Sequence, residues 1–148
     1  MQANNILGVL QAREFGAEDC LFLNQKQNFT EASNSNVLFV IDGVVQTPSI
    51  QSGILSGLTK NIISELCSAT GISYNETLLS INDVRSATEC FIASATREIV
   101  PLRSLRFEDG EFLEFPEGGG TVTRMLQTRY KDYVIRYCQE NIDSRLFS

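Results

Sequence analysis

Three short stretches of this sequence hold residue types that could do chemistry. The first is TEASNSNVLFV, Thr30 to Val40, where one acid, Glu31, is followed by Ala32, Ser33, Asn34, Ser35 and Asn36 and then by an apolar run. A lone carboxylate there could hold a cationic or protonated heterocyclic nitrogen, or it could cap a turn. The second is SGLTK, Ser56 to Lys60, in which Gly57, Leu58 and Thr59 open what reads as a helix. The backbone N–H groups of Leu58 and Thr59 could face an anion, aided by the helix dipole, although small residues also simply cap helices. The third, ASATRE, Ala93 to Glu98, reads as another helix start behind the apolar CFI. Its Ser94 and Thr96 hydroxyls could bind phosphate oxygens or serve a capping turn.

Other chemistries are excluded by what the chain lacks. It has no His, so Ser/His or Cys/His nucleophilic catalysis cannot be assembled within it. Cys20, Cys67, Cys90 and Cys138 are widely spaced, without a CxxC pair, which argues against zinc and for free thiols buried among apolar neighbours. A net charge of -6 disfavours nucleic acid, and the locally basic Arg124 to Arg136 reads as a solvated helix face. No apolar run reaches the roughly 20 residues of a membrane span, so the expectation is a soluble, cytoplasmic protein.

The elements that must position these residues follow from periodicity. Residues 3–15 read as a helix stopped at Gly16, and Cys20 to Asn24 as a buried strand. NVLFVID and VVQTP form a hairpin closed at Asp42-Gly43, a dipeptide suited to positive φ. Apolar residues recur at helical spacing from Ile54 to Cys67, with Gly57 near the start and Gly71 as the stop. ISYNETLLSI is strand-like, NDVRSA is a helical turn capped by Asn82, ECFIAS is a buried strand, and EIVPLRSLRF is extended. A turn is expected at Asp109-Gly110 and a final helix from Thr121 to Glu140. Gly118 to Gly120 could cradle a phosphate but reads more simply as the turn before that helix. With 148 residues, the chain is expected to be one mixed α/β domain without βαβ regularity.

Taken in order, TEASNSNVLFVIDGVVQTPSIQSGILSGLTKNIISELCSATGI, ATECFIASATREIVPLRSL and GGGTVTRMLQ resemble the C-terminal half of the class IV, or fold-type IV, pyridoxal-phosphate (PLP) aminotransferases. That family includes branched-chain and D-amino-acid aminotransferases and aminodeoxychorismate lyase. The resemblance implies that residues 1–148 are the large, PLP-binding α/β (mixed α+β) domain of the D-amino-acid-aminotransferase-like fold.

It also implies roles. Glu31, at the acid of the family pattern, would pair with the pyridine nitrogen of PLP and keep it protonated, which makes the ring an electron sink. Ser33, Asn34, Ser35 and Asn36 would form a wall of small residues beside the cofactor, and Leu55 would back the ring. Gly57 and the amides of Leu58 and Thr59 would hold the phosphate, together with the turn of Ser94, Ala95 and Thr96. The sequence departs from the family at Ala95, where Thr is usual, and at Lys60, where Arg is usual.

The family's covalently bound lysine precedes the segment matching NNILGVLQAREFGA, and counting back from Asn5 places it just before Met1. The smaller N-terminal domain, with a phosphate-binding Arg, is likewise expected outside the chain. The resemblance implies amino-acid and 2-oxo-acid substrates and a homodimer, with little or no transfer by the isolated chain. Its alternatives are a lyase acting on aminodeoxychorismate and a non-catalytic paralogue or fragment.

Overall fold

The computed structural model describes residues 10–14, 16–54 and 57–147, the last seven of them by backbone alone. The expected helix over residues 3–15 falls mostly outside this range, and so does Leu55. Residues 10–14 are helical, and Gly16, at φ 81, donates its N–H to the Arg13 carbonyl where the sequence predicts the stop.

Strands β1 (Leu21–Leu23) and β2 (Phe29–Ala32) pair as an antiparallel ribbon. Next come β3 (Asn36–Ile41), β4 (Val44–Pro48), a single 3-10 turn at Ile50–Ser52, and helix α1 (Leu58–Thr70). Strand β5 (Tyr74–Thr77) and the one-turn helix α2 (Ile81–Val84) follow. The chain then forms β6 (Glu89–Ser94), β7 (Glu98–Pro101), the hairpin of β8 (Ser104–Arg106) and β9 (Phe112–Glu114), and the long helix α3 (Thr121–Phe147).

The central sheet has the order β5-β4-β3-β6-β7, and only the β4–β5 pair is parallel. Strand β3 is covered on both faces, which is why its sequence is continuously apolar rather than alternating. Val37, Phe39 and Ile41 point to one core with Phe29, Cys90, Ile92, Phe107 and Phe115. Leu38 and Val40 point to the other, with Ile63 and Cys67 of α1, Phe91, and Leu126 and Tyr130 of α3. Each fully buried large side chain contributes about 1.5–3 kcal/mol through apolar burial. The β1–β2 ribbon and the β8–β9 hairpin thus cover one face of the sheet, and α1 and α3 the other.

The β3–β4 hairpin closes where expected, with Asp42 at φ 52 and Gly43 at φ 77. Helix α1 begins at Leu58, later than the apolar spacing suggests, because buried Ile54 belongs to the loop before it. It ends at left-handed Gly71, whose N–H reaches the Cys67 and Ser68 carbonyls. For α2 the cap is Ser80 rather than Asn82. The Ser80 hydroxyl accepts the Asp83 N–H while the Asp83 carboxylate accepts the Ser80 N–H, a reciprocal capping box.

Two further expectations change. ASATRE does not open a helix: residues 95–97 form the turn joining β6 to β7, paired as far as Ser94 with Glu98. The thiols are not uniformly buried either, since only Cys67 and Cys90 are enclosed, Cys20 is half-buried, and Cys138 is exposed on the outer side of α3. Helix α3 also runs past Glu140 to Phe147.

Candidate cofactor site at one end of the central sheet

Strand β2 presents Glu31 one residue before a tight turn in which the Ala32 N–H donates to the Ser35 carbonyl at 2.9 Å. The chain leaves this turn as β3, beginning at Asn36. Asn36 pairs with Ala93, which sets the β6–β7 turn directly beside the start of β3. On its other side, Asn36 lies against Gly57: a Cβ on that glycine would sit 2.6 Å from Asn36 Oδ1. Gly57 therefore leaves room for the end of the Asn36 side chain, and its backbone angles are ordinary extended ones. Three segments far apart in sequence, the Glu31 turn, the β6–β7 turn and the start of α1, thus meet through Asn36.

Among the described residues, the α1 terminus has no side-chain partner. Gly57 caps it with no side-chain hydrogen bond, and no acid lies in its first turn. The first amides of a helix have no partner within it, so Leu58 and Thr59 offer donors at the positive end of a 13-residue helix. The Leu58 side chain is 76% exposed and contributes only its backbone, whereas Thr59 is buried.

The start of α3 is the opposite case. Its first amides, Val122 and Thr123, donate to the buried Glu89 carboxylate at 3.3 and 2.8 Å. Gly120 must be glycine because any Cβ would fall 2.4 Å from the Glu89 side chain. The GGG stretch is thus the seat of an internal carboxylate, which leaves no room there for a phosphate.

Glu31 is half-buried, and burial raises its pKa above the ordinary 4.5. No described residue forms an ion pair or hydrogen bond with its carboxylate, so it stands desolvated without a compensating cation. Within the turn, Ser33 and Ser35 are buried and Asn36 is half-buried, whereas Asn34 is exposed. Among the described residues, the Ser35 hydroxyl finds no hydrogen-bond partner despite its burial. In the β6–β7 turn, the Ser94 hydroxyl accepts the Arg97 N–H at 3.1 Å and lies 3.5 Å from the Thr96 hydroxyl. Ala95 and Thr96 are exposed.

Lys60 differs from the sequence reading. It is fully buried, its ammonium lies 3.0 Å from Glu76 of β5, and it donates to the Pro48 carbonyl. It is a strut tying α1 to β4 and β5, and adds no charge at the open helix end. Sequence reasoning also missed Asp19, whose carboxylate lies 3.7 Å from Arg97 in the β6–β7 turn. No local pattern marks that pair, because the two residues meet only when β1 and the turn come together. A separate groove of about 420 Å³ between α1 and α3, lined by Leu66, Thr70, Arg129, Tyr133 and Arg136, shares none of these residues.

Comparison with known proteins identifies the family and the fold. The model of the class IV amino-transferase family matches residues 2–105. A branched-chain-amino-acid aminotransferase, so named as putative, from Methanocaldococcus jannaschii is 30% identical over 129 residues, covering 87% of this chain and 43% of that protein. A D-alanine aminotransferase from Listeria innocua is 32% identical over 137 residues, covering 92% and 45%. The crystal structure of an aminotransferase from Brucella abortus bound to the cofactor PLP superposes with a TM-score of 0.79 at 28% identity, over 89% of this chain and 45% of that one. The chain therefore spans less than half the length of these relatives. Its fold is that of the fold-type IV aminotransferases, and the chain belongs to the class IV aminotransferase family.

Proposed function

We propose that this chain is the PLP-binding part of an enzyme that transfers an amino group between an amino acid and a 2-oxo acid. The observation that carries the proposal is one juxtaposition: an unpaired, desolvated carboxylate at Glu31 and an uncapped helix end at Leu58 and Thr59, brought together through Asn36. A flat ring with a protonated nitrogen at one edge and a phosphate at the other needs both an acid and an anion seat. The residues present fit such a group, and the partnerless buried Ser35 hydroxyl marks a polar atom awaiting a ligand.

When bound, PLP supplies an electron-withdrawing ring that stabilises negative charge developing at a substrate α-carbon. Glu31 would pair with the ring nitrogen, its carboxylate charge favouring the protonated ring. The amides of Leu58 and Thr59 would take the phosphate with no charge from Lys60, which is committed to Glu76 and Pro48. Ser94 and Thr96 add hydroxyls, while Ala95 adds none. Ser33 and Ser35 line the turn with small side chains, Asn36 bridges the turn to α1, and Leu55, outside the described residues, is proposed to back the ring.

The amine that exchanges protons with substrate is proposed to come from residues outside this sequence. Of the chain's three lysines, Lys26 lies in the β1–β2 turn and Lys131 on α3, and the Lys60 ammonium is enclosed. The assembled enzyme is proposed to be a homodimer; light scattering returning 16.5 kDa, rather than twice that, would refute this for the chain alone.

The test uses pyridoxine 5′-phosphate, which shares the ring and phosphate but has no aldehyde to react with surface amines. Equilibrium dialysis should show one equivalent bound per chain, and Glu31→Ala should weaken binding by about tenfold or more. Failure of the unaltered chain to bind, or indifference to Glu31→Ala, would refute the assignment.

A further inference from the structure

Among the described residues, Asp19 and Arg97 form an ion pair at this same end of the sheet, and neither has a part in the site as proposed. Arg97 Nη1 lies 3.7 Å from Asp19 Oδ2, well beyond the roughly 2.7–2.9 Å of a closed charge-assisted hydrogen bond. Asp19 Oδ1 is already used, accepting the Cys20 N–H at 2.7 Å, while Oδ2 is buried and accepts no hydrogen bond. The Arg97 side chain is 48% exposed. Its backbone is nevertheless fixed, because its N–H is bound to the Ser94 hydroxyl. A guanidinium on an anchored turn, held loosely by one carboxylate oxygen, has most of its donors to spare.

The surrounding charge makes this matter. On β1 to β4, β6 and β7, the turns that join them at this end, and the first turn of α1, the cations are Arg97 and Lys60. The Lys60 ammonium is enclosed by Glu76 and the Pro48 carbonyl. We propose that Arg97 is an anion-binding residue of this site, taking a substrate carboxylate or a cofactor phosphate, and that Asp19 holds it in reserve and competes with the ligand. The inference deepens the preceding functional reading and rests on it for the identity of the site. Both oxyanions suit the planar fork of a guanidinium, so the ligand is named by that shared chemistry.

The experiment is calorimetric titration of the chain at low salt with pyridoxine, pyridoxine 5′-phosphate and, after saturation with the latter, glutarate. Arg97→Gln should weaken at least one of the two anionic probes by about tenfold or more and leave pyridoxine unchanged. Loss for pyridoxine 5′-phosphate identifies the cofactor phosphate as the partner, and loss for glutarate identifies a substrate carboxylate. Asp19→Asn keeps an acceptor for the Cys20 N–H and removes the competing charge, so it should tighten the same probe. If Arg97→Gln disturbs folding, Arg97→Lys, which keeps the charge but loses the fork, should weaken that probe with an unchanged melting temperature.

The proposal is overturned if no anionic probe binds, if Arg97→Gln leaves both anions unaffected, or if Asp19→Asn weakens them, since the pair would then be only a structural tie. Failure of the cofactor reading looks different. Glu31→Ala would leave pyridoxine 5′-phosphate binding intact while Arg97→Gln still reduced it.

Discussion

At the scale of the residue, Glu31 shows a conflict between stability and binding. Burial raises its pKa above 4.5 with no cation nearby, so the folded, cofactor-free chain is penalised for ionising it. Below pH 4.5 the group is protonated in both folded and unfolded states, and the penalty is absent. As pH rises through the folded pKa, the folded state holds more protons than the unfolded one and stability falls. Glu31→Gln should therefore raise the melting temperature of the cofactor-free chain at neutral pH and leave it unchanged near pH 3.5. The same variant should lose pyridoxine 5′-phosphate binding. A melting temperature that falls at pH 7 would mean that the carboxylate has a partner and is structural.

The elements separate two helix ends that look alike in sequence, each opened by glycine and threonine. The α3 end is filled by Glu89, so Glu89→Ala should strip the half-buried Val122 amide and the buried Thr123 amide of their acceptor and lower the unfolding free energy by about 2–3 kcal/mol in urea titrations. Among molecules that remain folded, affinity for pyridoxine 5′-phosphate should not change. At the α1 end the expectation is reversed. In Gly57→Ala the new methyl displaces the end of one short side chain, Asn36, and the loss of glycine restricts the unfolded chain. Stability should change by no more than about 1 kcal/mol, while phosphate binding weakens because Asn36 no longer bridges the turn to the helix. Equal losses of stability and binding in Gly57→Ala would show that the helix end has no separate role.

For the whole molecule, the lysines provide a direct check. Treating the chain with PLP and borohydride, followed by peptide mapping, should mark the exposed Lys26 and Lys131 slowly and leave the fully buried Lys60 unmarked. Rapid, stoichiometric labelling at Lys60 would contradict both its enclosure by Glu76 and the proposal that the reacting amine lies outside this sequence. In the proposed site, Glu31 and the α1 amides provide two edges for a ligand, and among the described residues no element encloses the rest.

What could be read directly was whatever depends on neighbouring residues. The β3–β4 turn was legible because Asp-Gly tolerates positive φ, and the two-sided burial of β3 because its apolar run is unbroken. The start of α1 beside Gly57 was legible because small residues open a helix, and Glu31 stood out as a single acid among small side chains. Tertiary structure decided the rest, because the deciding partners are distant in the chain. ASATRE became a hairpin turn because β7 pairs back on β6, which no local propensity reports. Lys60 is tied into the fold because Glu76 of the parallel strand β5 lies 3.0 Å from its ammonium. The glycines before α3 make room for Glu89, and Gly57 makes room for Asn36, because a missing Cβ has meaning only once the atom that would collide with it is in place. Asp19 and Arg97 carry no signal until the ribbon and the turn meet, since the energy of a charge depends on what the fold brings within a few ångströms of it.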